Sequence, residues 1–250
     1  LGYQLAKKFA DKVTLLALDR AALDIANNAQ VEQTLLAFAP DVIINAAAYT
    51  AVDKAEQEPE LAKAINETGP ENLAKVAAKL DAVLIHVSTD YVFDGQSDKP
   101  YVETDATNPQ SIYGQTKLNG EQAIVQYCAK HIILRTAWVF AEHGNNFVKT
   151  MLRLAQSLPE LGVVADQIGG PTYAGDIADA IICIVSQLNP DNEPRFGVYH
   201  YSGAPYVSWH QFACDIFQQA VTQKLIDKAP QVNAITTAQY PTPAKRPAFS

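Results

Sequence analysis

A tyrosine and a lysine one helical turn apart are the residues of this chain best placed to do chemistry. Tyr113 and Lys117 lie in the run IYGQTK at residues 112–117, and a spacing of four puts both side chains on one face of a helix. A free phenol titrates near pKa ~10, so it exchanges protons at neutral pH only where a nearby positive charge stabilises its anion. Lysine supplies that charge.

An apolar segment upstream adds hydroxyl groups to this pair. Residues 83–87 read VLIHV and are followed by Ser88, Thr89 and Asp90. The carboxyl end of a buried parallel strand faces the usual ligand crevice of such folds, so these hydroxyls can bind the carbonyl oxygen that the phenol protonates. Tyr-x-x-x-Lys alone is common on helix surfaces, and it is the Ser-Thr at a strand end that favours a hydride-transfer site.

Alternation of apolar runs with amphipathic stretches predicts the elements that position these residues. Strands are predicted at residues 13–18, 42–46, 83–87 and 132–136, because runs that are almost continuously apolar are typical of strands covered on both faces. Helices are predicted between them, at residues 28–38, 59–80 and 112–129. This order indicates an α/β fold with a Rossmann-like, doubly wound parallel sheet.

The alternation of predicted strands and helices becomes less regular after residue 140. There the pattern predicts helices near 145–157, 174–188 and 208–224, a turn at 167–172, a short strand at 198–201 and an extended, proline-punctuated tail at 240–247. We expect one α/β domain with a smaller appended lobe, since 250 residues that are 48% hydrophobic can bury a large core.

Charge and cysteine usage limit the class of protein. The formal net charge is -8, with a pI near 5.1, which disfavours nucleic acid or an anionic membrane as a partner. Cys128, Cys183 and Cys214 are an odd count without a Cys-x-x-Cys pair, which fits a reducing cytoplasm. No apolar run is long enough to cross a bilayer and the N-terminus has no signal pattern, so we expect a cytoplasmic protein.

The histidines give no metal site. Five of them are dispersed along the chain without ligand spacing: His86, His131, His143, His200 and His210. His86 lies within an apolar strand and is most simply a core histidine whose ring nitrogens are hydrogen-bonded.

The beginning of the chain departs from what a dinucleotide fold needs. Such folds open with a strand and a glycine-rich turn that holds the pyrophosphate, whereas this chain starts at LGYQL, within its first helix, with Gly2 as the last glycine of that pattern. We therefore expect the parent protein to be longer at both ends. Asp19 lies near the ~20-residue offset of the carboxylate that binds the adenosine ribose. Arg20 could instead meet a 2'-phosphate, so NADH versus NADPH stays open.

Seven segments, in family order and spread over nearly the whole chain, resemble the dTDP-4-dehydrorhamnose reductases, a family of extended short-chain dehydrogenases/reductases. These segments are NAAAYTAVDKAE (45–56), STDYVF (88–93), ETD (103–105), YGQTK (113–117), RTAWVF (135–140), NNF (145–147) and RP (246–247). The resemblance implies reduction of the C4 keto group of dTDP-4-dehydro-6-deoxy-L-mannose to dTDP-L-rhamnose, with hydride from NADPH or NADH.

Catalytic roles follow from the resemblance. Tyr113 is the implied general acid that protonates the C4 keto oxygen, while Lys117 binds the nicotinamide ribose and lowers the pKa of Tyr113. Thr89 hydrogen-bonds the carbonyl. Asn66 resembles the helical asparagine that holds a water behind the lysine, although a solvated helix residue is an equal reading.

Binding residues follow in the same way. The implied cofactor contacts, besides Tyr113 and Lys117, are Gly2, Asp19, Asp24, Ile25, Ala46, Ala47, Ala48 and Thr50. The implied substrate contacts are Thr89, Asp90, Trp138, Asn146 and Arg246, the last as a partner for the diphosphate. Residues 1–140, with 174–202 packing back on them, would form the NAD(P)-binding domain, and 141–173 with 203–250 the substrate-binding lobe.

Relatives of this family leave alternatives open. Dehydratases place Asp-Glu after the strand-end threonine, whereas this chain has Asp90-Tyr91, which favours reduction over elimination. Another nucleotide-sugar reductase or a 4-epimerase stays open, as does a non-catalytic regulatory subunit of the methionine adenosyltransferase type. Some family members are homodimers with Mg2+ at the contact, but no residue here is assigned to a metal.

Overall fold

Four parallel strands form the main sheet in the computed structural model, which describes residues 1–188 and 194–250. The strands follow the order β1-β2-β3-β8 and comprise β1 (Val42–Asn45), β2 (Val83–Thr89), β3 (His131–Thr136) and β8 (Gly197–His200). Parallel neighbours need long crossover connections, and helices supply them. The α/β fold class and the parallel sheet predicted from the sequence are thus confirmed.

Helices cover both faces of this sheet because alternate strand residues point to opposite sides. Leu84 and Ile133 belong to a buried cluster with residues of α2 (Asn28–Phe38), α5 (Gly69–Lys79) and α6 (Ile112–Tyr127). Ile85 and Ile132 belong to a second cluster, with residues of α1 (Gly2–Phe9) and α8 (Ala174–Ser186) on the other face. The continuous hydrophobicity of β2 and β3 reflects this double burial.

The segment predicted as one helix at 59–80 is interrupted. It consists of α4 (Pro59–Lys63), a π-helical turn (Ala64–Thr68) and α5. A short helix, α3 (Val52–Ala55), precedes it. Asn66 lies in the π turn and is 1% exposed. The sequence left open whether this residue is solvated or functional, and the structure shows that it is buried.

Short strand pairs and two helices make up the rest of the molecule. The helices are α7 (Phe147–Ala155) and α9 (Trp209–Thr222), which share a buried cluster. Parallel pairs join β4 (Val139–Phe140) to β7 (Thr172–Tyr173) and β5 (Glu160–Val164) to β10 (Gln231–Ile235), and an antiparallel pair joins β6 (Ile168–Gly169) to β9 (Val207–Ser208). Single 3-10 turns lie at Asp90–Val92 and Thr237–Gln239.

Residues 13–18 form no strand, so that prediction is wrong. Their backbone pairs with none of the described strands, and four aliphatic side chains are 39–50% exposed: Val13, Leu15, Leu16 and Leu18. A strand requires a neighbour whose backbone groups complete the hydrogen-bond ladder. Residues 13–18 have the hydrophobicity of a strand, but none of the described strands lies beside them to complete the hydrogen bonds.

Candidate active site

Tight packing at the start of α6 fixes the position of Tyr113. The Ser111 hydroxyl caps the helix by accepting the Gly114 N–H at 3.1 Å, as an N-cap serine does. A side chain at Gly114 could not fit, because a Cβ there would lie 2.3 Å from the Tyr91 carbonyl oxygen. The helix can therefore approach the turn after β2 closely enough to place its phenol beside the end of that strand.

Thr89, Asp90 and Tyr113 form one connected group. The Thr89 hydroxyl donates to Asp90 Oδ1 at 2.9 Å and accepts the Tyr91 N–H at 3.2 Å. Burial raises the pKa of Tyr113 to about 12, and a hydrogen bond with Thr89 opposes that rise. A buried phenol of this kind is a neutral proton donor, and its anion needs a positive charge nearby in order to form.

Lys117 lies in the interior beneath this group. Its side chain is 2% exposed, and Nζ donates to the Val87 carbonyl oxygen at 2.7 Å and lies 3.1 Å from His86 Nε2. Burial lowers the pKa of Lys117 to about 8, and the charge of Glu121 opposes this shift. The lysine can therefore exchange its proton much closer to neutral pH than a solvated lysine does.

Asp90 borders a cavity at the mouth of the sheet. Its carboxylate accepts the Ser250 hydroxyl at 2.6 Å, and burial raises the pKa of Asp90 against the hydrogen bonds from Ser250 and Thr89. The cavity, of about 300 Å³, is also lined by Thr136 and His200. The hydroxyls of Thr136 and Ser88 are buried without a hydrogen-bond partner among the described residues.

Small residues after β1 form an open edge beside the catalytic group. Ala47 and Thr50 are exposed, and Ala46 and Ala48 are half-buried. Asn66 holds this loop from below, since its amide accepts the Tyr49 N–H at 2.8 Å and donates to the Tyr49 carbonyl oxygen at 3.1 Å. The loop is thus fixed from the protein side while its other side stays open.

Of the remaining predicted cofactor residues, Gly2, Asp19 and Asp24 are exposed and Ile25 is half-buried against the core. Gly2 is exposed at the N-terminus of α1, and backbone N–H groups at a helix N-terminus favour anions. The Asp19 carboxylate accepts two backbone N–H groups of its own turn, each at 3.0 Å. Asp24 is also exposed and accepts the Ala26 N–H within a local turn, while Asn27 is the residue that caps α2.

The predicted substrate residues are already engaged within the protein. Trp138 stacks on Trp209, with ring centroids 3.5 Å apart and planes at 7°. Asn146 caps α7 by accepting the Lys149 N–H at 3.1 Å. Arg246 forms a two-point ion pair with Asp53, at 3.0 and 2.6 Å. This pair joins two of the sequence segments that carry the family resemblance.

Several residues of the site were missed by sequence reasoning. Asn45 bonds His86 at the sheet interior, and Asn72 donates to the Ile25 carbonyl oxygen at 3.0 Å, which anchors the loop that contains Asp24. Asp53 had no assigned role. The only signal for Asn45 was an amide at the end of an apolar strand, and Asn72 looked like any polar helix residue.

The described residues, 1–188 and 194–250, contain neither a membrane-spanning helix nor a metal-binding cluster. No helix among them is long and apolar enough to cross a membrane. No group of three or more His, Cys, Asp or Glu side chains among them could hold a metal ion. All three cysteines are free thiols.

Comparison with known proteins identifies a family and relatives that are similar to this chain. Residues 1–250 match the family model described as the RmlD substrate binding domain. The chain is 52% identical over 252 residues to the dTDP-4-dehydrorhamnose reductase of Aggregatibacter actinomycetemcomitans, covering 100% of this chain and 86% of that protein.

Solved structures agree. A dTDP-4-dehydrorhamnose reductase from Clostridium acetobutylicum superimposes with a TM-score of 0.92 at 41% identity, covering 100% of this chain and 85% of that one. The enzyme from Bacillus anthracis, solved in complex with NADP, superimposes with a TM-score of 0.89 at 37% identity, covering 98% and 85%.

Proposed function

Since this chain belongs to the RmlD substrate binding domain family, as its full-length match shows, we propose that it reduces the C4 keto group of dTDP-4-dehydro-6-deoxy-L-mannose to dTDP-L-rhamnose. The reductant is NADPH or NADH. One observation carries the proposal: a buried phenol, a strand-end hydroxyl and a buried lysine converge at the carboxyl end of β2. The relatives named as reductases of this sugar support it.

The chemistry of the site suits ketone reduction. A bound nicotinamide cofactor supplies the hydride that reaches C4. As negative charge develops on the keto oxygen, Tyr113 donates its proton to that oxygen and Thr89 stabilises it by a hydrogen bond. Lys117, once protonated, stabilises the resulting tyrosinate electrostatically. Both donors are held in place before the substrate arrives, so little reorganisation is needed.

The residues present fit a dinucleotide. The N-terminus of α1 offers N–H groups to phosphates, and the small, partly exposed residues after β1 let a cofactor approach the backbone. We assign Gly2, Ala46, Ala47, Ala48 and Thr50 to this part of the cofactor. The predicted contacts of Asp19, Asp24 and Ile25 with the adenosine end belong to the same proposal, as do those of Tyr113 and Lys117 with the nicotinamide ribose. The preference between the two reductants rests on Asp19 and Arg20.

We assign the nucleotide-sugar substrate to the opposite side of the site. Thr89 and Asp90 would bind the sugar and Trp138 would pack against it. Asn146 and Arg246 would contact the nucleotide end, with the guanidinium on the diphosphate. Asp53 already orients that guanidinium by two hydrogen bonds. The substrate-binding lobe at 141–173 and 203–250 is part of this proposal.

Assembly and location stay predictions. A homodimer, Mg2+ at its contact and a cytoplasmic location rest on the resemblance and on the odd number of cysteines.

The direct test is NADPH or NADH consumption with dTDP-4-dehydro-6-deoxy-L-mannose, using the parent protein, with dTDP-L-rhamnose identified by mass spectrometry. We expect stoichiometric oxidation of the cofactor and formation of the sugar. An absence of turnover with both cofactors, while a methionine adenosyltransferase binds the protein tightly, would support the regulatory-subunit alternative instead.

A further inference from the structure

Two polar side chains in the sheet interior form a chain of hydrogen bonds that ends at Lys117. Asn45 and His86 are register partners on the adjacent parallel strands β1 and β2, and both are buried, at 4% and 0% exposure. Asn45 Nδ2 lies 3.0 Å from His86 Nδ1, and His86 Nε2 lies 3.1 Å from Lys117 Nζ. Polar groups in a sheet interior are costly unless each finds a partner.

The orientation of the Asn45 amide follows from a second contact. Its oxygen, Oδ1, accepts the Ala47 backbone N–H at 3.1 Å. An N–H group must face an acceptor, so the amide oxygen belongs on that side and the NH2 group faces His86. The NH2 group can only donate. His86 Nδ1 must therefore accept.

The protonation of His86 follows in turn. Burial holds the pKa of His86 well below its usual range, so the imidazole is neutral. A neutral imidazole carries one proton, and since Nδ1 accepts, that proton is on Nε2. It points at Lys117 Nζ.

Lys117 then has to accept from His86 while it donates to Val87. Above its pKa of about 8, Lys117 is a free amine, which has one lone pair and can do both, whereas an ammonium has only donors and would set N–H against N–H. The carboxylate whose charge acts on Lys117 is that of Glu121, and it is already bonded to Arg135 at 2.6 Å. Tyr113, one turn away, is a neutral phenol in this state.

We propose that Asn45 and His86 are a positioning unit for Lys117: they fix the ring proton on Nε2 and so hold the lysine as a hydrogen-bond acceptor at the end of a buried hydrogen-bond chain. The catalytic meaning of this arrangement rests on the proposed function. In its free-amine form Lys117 has to take up a proton and turn away from His86 before it can stabilise a tyrosinate.

Asn45→Asp tests the proposal on the cofactor-free protein. A carboxylate keeps an acceptor for the Ala47 N–H but replaces the NH2 donor with a second acceptor, which draws the imidazole proton to Nδ1. Nitrogen NMR of protein labelled on its histidine rings reports which ring nitrogen is protonated, with the His86 signal assigned by its loss in His86→Gln. Above pH 8, where Lys117 is a free amine, we expect the proton on Nε2 in the wild type and on Nδ1 in the variant.

Lys117 supplies a second readout. Once Nε2 becomes an acceptor, the ammonium is hydrogen-bonded and its pKa should rise by at least about one unit, followed through the carbon shift of its Cε. Gln115→Glu, which adds one negative charge on the exposed side of α6, is the matched control and should leave the His86 tautomer unchanged.

Either of two results would overturn the proposal: a wild-type proton on Nδ1, or an unchanged Lys117 titration in folded Asn45→Asp. If that variant fails to fold, His86→Gln decides, because its amide oxygen can accept from the ammonium and should also raise the pKa of Lys117; an unchanged pKa there contradicts the proposal. These readouts need no turnover, so they stand apart from any failure of the reductase assay.

Discussion

The two sides of the site are built differently. On the catalytic side, Thr89, Tyr113 and Lys117 are 2–9% exposed and their polar atoms bond one another or the neighbouring backbone. On the cofactor side, Ala47 and Thr50 are exposed. The protein therefore completes the hydrogen bonds of the reactive group by itself, whereas Ala47 and Thr50, on the proposed cofactor side, stay accessible to a ligand.

This difference has a physical reason. Proton transfer requires donors fixed to within a fraction of an ångström, which burial and closed hydrogen bonding provide. Phosphate and ribose binding requires backbone that a ligand can approach, and buried backbone could not be approached. Substitutions on the buried side should consequently cause large losses of activity or stability. Substitutions on the open side should cause small losses that affect the binding of one ligand.

Removal of the phenol hydroxyl should have the largest effect. We expect Tyr113→Phe to lower kcat by roughly 10²–10⁴, because it removes the general acid, while cofactor affinity by titration stays nearly unchanged. Tyr127→Phe, which changes a more exposed tyrosine on the same helix, is the control and should keep full activity. Equal activity of the two variants would remove Tyr113 from the acid role.

Loss of the buried Glu121–Arg135 ion pair beneath the catalytic side should have the second largest effect. Glu121→Gln leaves the Arg135 guanidinium, which is bonded at 2.6 Å between two buried side chains, without a compensating charge. We expect the free energy of unfolding, from urea denaturation, to fall by about 3–5 kcal/mol.

The surface offers a control for this comparison. Asp81→Asn breaks the Lys130–Asp81 pair, in which the aspartate is 84% exposed, and should have little effect. If both variants lost the same stability, burial would not be what distinguishes the catalytic side.

Lys117 should make stability depend on pH. Its pKa is lowered from 10.5 to about 8 in the folded protein, so between these values the unfolded chain binds more protons and stability rises with pH. Relative to Lys117→Met, the wild type should gain roughly 3 kcal/mol across that range, measured by urea denaturation at several pH values. Lys12→Met, at an exposed position, should follow the wild type; parallel curves for Lys117→Met would contradict burial as the cause.

The smallest effect should come from a substitution of Arg246, at the partly open edge of the site. Arg246→Lys loses the two-point geometry with Asp53 and with a diphosphate, so we expect the KM for the nucleotide sugar to rise about tenfold, or about 1.4 kcal/mol. The KM for NADPH should not change. Lys245→Arg next to it is the control, and a rise in the KM for NADPH instead would place Arg246 on the cofactor side.

Sequence reasoning succeeded where a local period carries the information. The spacing of Tyr113 and Lys117 placed both on α6, and the continuous apolar runs located β2 and β3 to within a residue or two. It failed at residues 13–18, which are as apolar as those strands. Two-residue strands such as β6 and β9 were missed as well, because they are too short to show any period.

The amino-acid sequence thus determined by itself the fold class, the reactive pair and the strand-end hydroxyls, since each depends on neighbours within about one helical turn or one strand. Only the tertiary structure decided the environment of those groups. It placed Asn45 and His86 behind Lys117, Glu121 against Arg135, and Asp53 on Arg246. These contacts join residues 14 to 193 positions apart, and burial together with such long-range partners sets the pKa of a side chain whose identity the sequence already provides.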